Sequence, residues 1–120
     1  MDILLVEDNE IIGDAIVSRM LADGNKVEWR KNVANSLAAL DSRQYDCVVL
    51  DLRLPDGHGF SVLDTLRQRG MDVPVLVLTA FDQVSDRIAG MAHGANDHLV
   101  KPFSLTDLSK RVANLVAQRR

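Results

Sequence analysis

The stretch "DILLVEDNEII", residues 2–12, changes character twice. Residues 2–6 form a nearly continuous apolar run, two carboxylates follow at Glu7 and Asp8, and Ile12 then opens a pattern with helical spacing. A strand that is apolar at successive positions is covered on both faces, which is the habit of parallel sheets with helices above and below. The same unit recurs along the chain. Strand-type runs stand at 2–6 (DILLV), 26–30 (KVEWR), 47–51 (CVVLD), 73–78 (VPVLVL) and 97–100 (DHLV). The first, third and fourth are almost wholly Val, Ile and Leu, while the second and fifth are mixed, as suits sheet edges.

Helical patterns fill the gaps. Ile12, Ala15, Ile16 and Met20 share one face, and Gly24 supplies the stop. Leu37 and Leu40 mark a short second helix, and Phe60, Leu63 and Leu66 a third that ends near Gly70. Val84, Ile88 and Met91 form the thin stripe of a fourth, interrupted by Gly90 and closed by Gly94. The fifth opens on "SLTD", with Ser104 as N-cap and Asp107 three residues on, and continues through Leu105, Leu108, Val112 and Leu115. Five strand–helix units with short connections predict right-handed crossovers and a doubly wound α/β domain over residues 1–120.

Composition narrows the function. With 47% apolar residues the chain can build one core without disulfide or metal staples. A net charge of −3 with both signs interspersed argues against direct nucleic-acid binding, which needs a basic patch or stripe. Cys47, the single cysteine, lies in an apolar run and reads as an inert buried thiol. No stretch approaches the ~18 consecutive apolar residues of a membrane span, and no basic region precedes an apolar one at the N-terminus. The expectation is a soluble cytoplasmic domain, with any C-terminal output domain absent from this chain.

In a doubly wound sheet, ligands bind beyond the carboxyl ends of the central strands. Those ends carry Glu7 and Asp8, Asp51, Thr79, and the Lys101–Pro102 pair. Each taken singly is an ordinary loop residue; five at one edge are not. Three carboxylates at close range need a counter-charge. Mg²⁺ prefers oxygen ligands, binds through one or two carboxylates and completes its shell with water and phosphate. Asp8 and Asp51 are the natural direct ligands, with Glu7 acting through water. One carboxylate can also serve as a nucleophile toward phosphorus, giving an aspartyl phosphate. Lys101 would then pair with a phosphoryl oxygen and Thr79 donate a hydroxyl hydrogen bond.

The motifs "LLVEDN", "VVLDLRLPDGHG", "VLVLTA" and "GANDHLVKPF", in this order and at these spacings, resemble the receiver domain of two-component response regulators over essentially the whole chain. The resemblance implies a flavodoxin-like (βα)₅ sheet in the order 2-1-3-4-5. It implies Asp51 as phosphoacceptor, an acidic metal pocket of Glu7, Asp8 and Asp51, and the Arg53 backbone carbonyl as the remaining protein ligand of Mg²⁺, for which Mn²⁺ can substitute. Thr79 would be the switch hydroxyl, Lys101 the phosphate-pairing lysine, and the Lys101–Pro102 bond cis. Ala80 would leave room for the phosphoryl group, and the bulk of Phe81 would shield it and slow its loss. His98 stands where the family usually places a rotating Tyr or Phe.

"DRIAGM", "NDHLVKPF" and "DLSKR" further resemble regulators that carry a winged-helix DNA-binding domain. In those relatives the fourth helix, fifth strand and fifth helix form a symmetric dimer face. Arg87, Asp97 and Arg111 match its charged seam, and Asn96 replaces an acid there. The implied partners are a sensor histidine kinase docking near "NEIIGDAI", a second copy of the chain, and DNA only through a separate C-terminal domain, with no membrane. The implied activity is that of a phosphoacceptor switch rather than a turnover enzyme. An Mg²⁺-dependent hydrolase with an aspartate nucleophile would carry an aspartate where Arg53 stands. A flavin-binding module would need a phosphate-cradling loop in place of "EDNE". A degenerate receiver would lack part of the acidic, Thr79 and Lys101 set.

Overall fold

Five parallel strands form the central sheet: β1 (Asp2–Val6), β2 (Lys26–Arg30), β3 (Cys47–Asp51), β4 (Val75–Ala80) and β5 (Asp97–Lys101), in the order β2-β1-β3-β4-β5. A two-stranded ribbon pairing Arg53 with His58 lies outside it. The computed structural model describes residues 1–80 and 84–119, without the side chains of residues 84–87. The expectations placed on Phe81 and on the side chains of Val84 and Arg87 therefore lie outside the described residues. The helices are α1 (Glu10–Ala22), α2 (Val33–Ser42), α3 (Phe60–Gln68), α4 (Val84–Ala92) and α5 (Leu105–Arg119).

Alternation along the inner strands sorts side chains into two layers. Leu4, Val6, Val48 and Leu50 pack with Leu40, Leu63 and Leu66 from α2 and α3. Ile3, Leu5, Cys47 and Val49 point the other way, onto Ile16 and Met20 of α1 and Leu108 and Val112 of α5. Asn9 accepts from Ile12 N at 3.0 Å to start α1, and Asn32 accepts from Asn35 N at 2.8 Å to start α2. The carboxylate of Asp56, from the ribbon, also accepts from Val33 N and Ala34 N, which holds it below its ordinary pKa. Ser104 caps α5 as expected, accepting from Asp107 N at 3.0 Å, while the Asp107 carboxylate pairs with Arg111.

Two expectations need correction. β4 runs over 75–80 rather than 73–78. Pro74 lacks an N–H and joins only as an acceptor, from Val48 N, while Thr79 and Ala80 continue the ladder opposite Val100 and Lys101. In α4, Ile88 and Met91 are not an inward stripe: they are 74% and 49% exposed. Among the described side chains of α4 the buried position is Gly90, where an added Cβ would stand 3.6 Å from the Phe60 ring.

The end of α4 is held by side chains of α3. His93 stacks on Phe60 with ring centroids 4.3 Å apart and pairs with Asp64 at 2.6 Å. Arg67 donates to the carbonyls of Gly94, Met71 and Val73 and to Asn96 Oδ1, while Asn96 Oδ1 also accepts from Val75 N. Arg67→Ala should lower stability by about 2–3 kcal/mol, because the three carbonyls lose a charged donor at once. Urea unfolding with an unchanged slope would show it.

Candidate functional site

Parallel register brings the acidic residues together. Val6 stands opposite Leu50, so the next rung places Glu7 beside Asp51, and Glu7 N extends the β1 ladder by donating to Arg30 O at 3.0 Å. Asp51 also stands opposite Leu78, one residue before Thr79. Glu7, Asp8 and Asp51 each offer an oxygen, and these atoms lie within 4.8 Å of one another. Glu7 and Asp51 are buried and Asp8 is exposed, so the cluster opens to solvent on one side.

Lys101, at the end of β5, is the cation of the pocket. Its Nζ donates to Glu7 Oε1 at 2.7 Å and to Asp51 Oδ2 at 3.3 Å. Burial opposes the charged ammonium, but the two carboxylates outweigh it and push the pKa of Lys101 above its ordinary value. One ammonium does not balance three carboxylates. Burial, reinforced by the neighbouring Asp51 carboxylate and only partly offset by Lys101, pushes Glu7 up to about 8. Two buried atoms, Glu7 Oε2 and Thr79 Oγ1, have no hydrogen-bond partner among the described residues. A buried carboxylate oxygen with no donor, amid further carboxylates, suits a hard cation taking oxygen ligands.

The loop after β3 closes the other side. Arg53 N donates to Asp51 Oδ1 at 3.2 Å, which sets Arg53 beside the carboxylate. Gly59 N donates to Leu52 O, and a Cβ on Gly59 would fall 2.6 Å from Asp51 O. This close approach explains the second glycine of "PDGHG". Gly57 adopts positive φ, 158°, near the extended limit. The Lys101–Pro102 peptide is cis.

The expected switch residues lie along β5 and its surroundings. Ala80 pairs with Lys101 in the ladder and lines an apolar groove next to it. His98 stands opposite Val77, half-buried, with its N–H donating to Asp97 Oδ1 and its carbonyl accepting from Arg111 Nη1 at 3.0 Å. Arg111 also bridges Asp97 at 3.0 Å and Asp107 at 3.2 Å, so two residues of the expected seam pair within one chain. Asn96 is turned toward α3 and β4 through Arg67 and Val75. Two contributors escaped the sequence reading: Asn9, which caps α1 right after Asp8, and Trp29, whose indole reaches Glu7. The signal for Asn9 was present, an Asn just before an apolar helical pattern; Trp29 left none.

The Glu7 pKa carries a testable consequence. Unfolded, the side chain ionises near 4.5; folded and metal-free, near 8, so between these values the folded chain holds an extra proton and loses stability as pH rises. In EDTA, Glu7→Gln should exceed the parent in stability at pH 8 by on the order of 3 kcal/mol, with the gap closing toward pH 5. Paired denaturant curves at the two pH values measure it.

A family model described as "Response regulator receiver domain" matches residues 3–113. The chain is 42% identical over 119 residues to "Transcriptional regulatory protein QseB" of Haemophilus influenzae, covering 99% of this chain and 54% of that protein. It is 44% identical over 115 residues to "Response regulator protein PmrA" of Pseudomonas aeruginosa, covering 96% and 52%. The chain thus spans about half the length of the curated relatives it matches. Among solved structures, the receiver domain of Francisella response regulator 1452 superposes with a TM-score of 0.93 at 28% identity, covering 99% of this chain and 98% of that one. The non-phosphorylated HemR receiver domain of Leptospira biflexa gives 0.88 at 36% identity, covering 96% and 93%.

Proposed function

The chain belongs to the response regulator receiver domain family, and from that premise we propose that it is a phosphoacceptor switch in which Asp51 takes a phosphoryl group from a sensor histidine kinase. The observation that carries this reading is the buried Asp51 carboxylate at a strand end, 3.3 Å from the Lys101 ammonium and within reach of two further carboxylates. In the transfer, an Asp51 oxygen attacks phosphorus as the N–P bond of the phosphohistidine breaks, and the released imidazole takes a proton from water. Lys101 then holds a phosphoryl oxygen, and the Thr79 hydroxyl, buried without a partner among the described residues, donates to another. Asp8 and Asp51 would hold Mg²⁺ directly, with Glu7 through water and the Arg53 carbonyl as a further ligand. Bound there, Mg²⁺ or Mn²⁺ neutralises the acidic cluster and the incoming phosphoryl charge. The phosphoryl group ends on the chain itself, so the domain is a switch and not a turnover enzyme. Arg53, at the position of a hydrolase's second aspartate, supports the same view.

Two surfaces support the partners. Ile11 is 83% exposed on the first turn of α1, beside a cavity of about 450 Å³ lined by Ile12, Ala15, Ala80, Phe103 and Leu105 next to Lys101. An apolar groove at the pocket's edge suits a kinase helix that must present its phosphohistidine to Asp51. The exposed Ile88 and Met91 of α4, with Asp97 and Arg111, suit a homodimer through α4, β5 and α5. Engagement of Thr79 by the phosphoryl group would bias that face through His98. Relatives described as transcriptional regulators favour control of a DNA-binding domain C-terminal to the receiver. No helix among the described residues is long and apolar enough to cross a membrane.

Incubation with acetyl phosphate and Mg²⁺ should add one phosphoryl group by intact mass, and neither Asp51→Asn nor an EDTA control should gain it. An adduct that persists in Asp51→Asn would overturn the assignment. Thr79→Ala should retain the adduct yet lose the phosphorylation-dependent change in oligomeric state, read by light scattering.

A further inference from the structure

We infer that Trp29 is a positioning residue of the acidic pocket: its indole fixes the peptide group between Glu7 and Asp8 and so sets how the carboxylates converge on a cation. The inference rests on the metal-binding reading proposed above. Trp29 Nε1 donates to the backbone carbonyl of Glu7 at 2.8 Å. The amide of Glu7 is already tied to Arg30 O at 3.0 Å. β2 therefore grips Glu7 from both ends, through its backbone on one side and a side chain on the other. The gripped carbonyl belongs to the peptide that joins Glu7 to Asp8, two members of the acidic cluster.

The ring is itself locked in place. A Cβ on Gly13, in the first turn of α1, would lie 2.1 Å from Trp29 Cζ2, so only glycine admits the indole. Glycine inside a helix costs about 1 kcal/mol relative to alanine, and here it provides the seat for the ring. Lys31 places its ammonium 4.8 Å from the ring centroid and pairs with Glu10 of α1 at 2.9 Å. The indole is thus held by α1 and by Lys31 while its N–H addresses the loop. This matters because Mg²⁺ tolerates little error, binding oxygen at about 2.0–2.1 Å in near-octahedral geometry. A rotation of the Glu7–Asp8 peptide would swing the exposed Asp8 carboxylate against the buried Glu7 and Asp51, at no cost to the core.

Calorimetric Mg²⁺ titration of the full chain tests this, comparing the parent with Trp29→Phe, which keeps a ring and removes the donor, and Gly13→Ala, which displaces the ring. Both variants should bind Mg²⁺ about threefold to tenfold more weakly. The parent's tryptophan emission, from the chain's one Trp, should change with the midpoint found by calorimetry. A merely structural Trp29 would lower the unfolding midpoint in EDTA and leave the Mg²⁺ Kd unchanged. Parental Kd in whichever variant folds overturns the inference and leaves the metal-binding reading intact. No Mg²⁺ binding by the parent overturns that reading and the inference with it.

Discussion

Parallel pairing forces the carboxyl ends of β1, β3, β4 and β5 to one edge of the sheet, and the structure depends on what is placed there. Glu7 and Asp51 are neighbours because Val6 and Leu50 pair one rung earlier. Burial weakens the solvent screening of their repulsion, and among the described residues the Lys101 ammonium reaches both. The result is a pocket under electrostatic tension: Glu7 holds its proton to about pH 8, and a buried carboxylate oxygen and a buried hydroxyl find no partner among the described residues. In the proposed reading, entry of a cation and a phosphoryl group would relieve this tension, and the core built beneath the site offsets the cost of keeping it ready.

The supports of the pocket come from far along the chain. Asp56 ties the ribbon after Asp51 to the start of α2, Gly59 packs on the Asp51 backbone, and Trp29 ties β2 to the Glu7 carbonyl. These ties all lie on the side of β1, β2 and β3. On the other side, α4 is secured at its C-terminal end by His93 and Arg67, while its outer face exposes Ile88 and Met91. In the proposed switch, a signal leaving through Thr79 would meet this helix, whose outer face offers Ile88 and Met91 to a partner.

Much of this was legible in the sequence, for a physical reason. Strands buried on both faces must be apolar throughout, so β1, β3 and β4 announce themselves, and parallel connectivity then fixes where their last residues go. The acidic set, Thr79 and Lys101 follow from that rule. The two-residue displacement of β4 was less visible, because Pro74 is apolar enough to look like strand and yet cannot donate to the ladder. The inner face of α4 misled because hydrophobic periodicity assumes that large residues point inward, and here Ile88 and Met91 face outward while Gly90 is the buried position among the described side chains of the helix. Arg67, Asp56 and Trp29 were illegible for a different reason: each acts on backbone groups brought near only by the fold, and no local pattern records them.

The central claim is that the crowded carboxylates form a cation site whose apo form holds a proton on Glu7. Calorimetric titration with Mg²⁺ at pH 7, repeated in buffers of different ionisation enthalpy, counts the protons displaced on binding. About one proton released per Mg²⁺ is the predicted result, because Glu7 with a pKa of about 8 must lose its proton to the buffer as the cation binds. Binding without proton release, or no binding at all, would contradict the account.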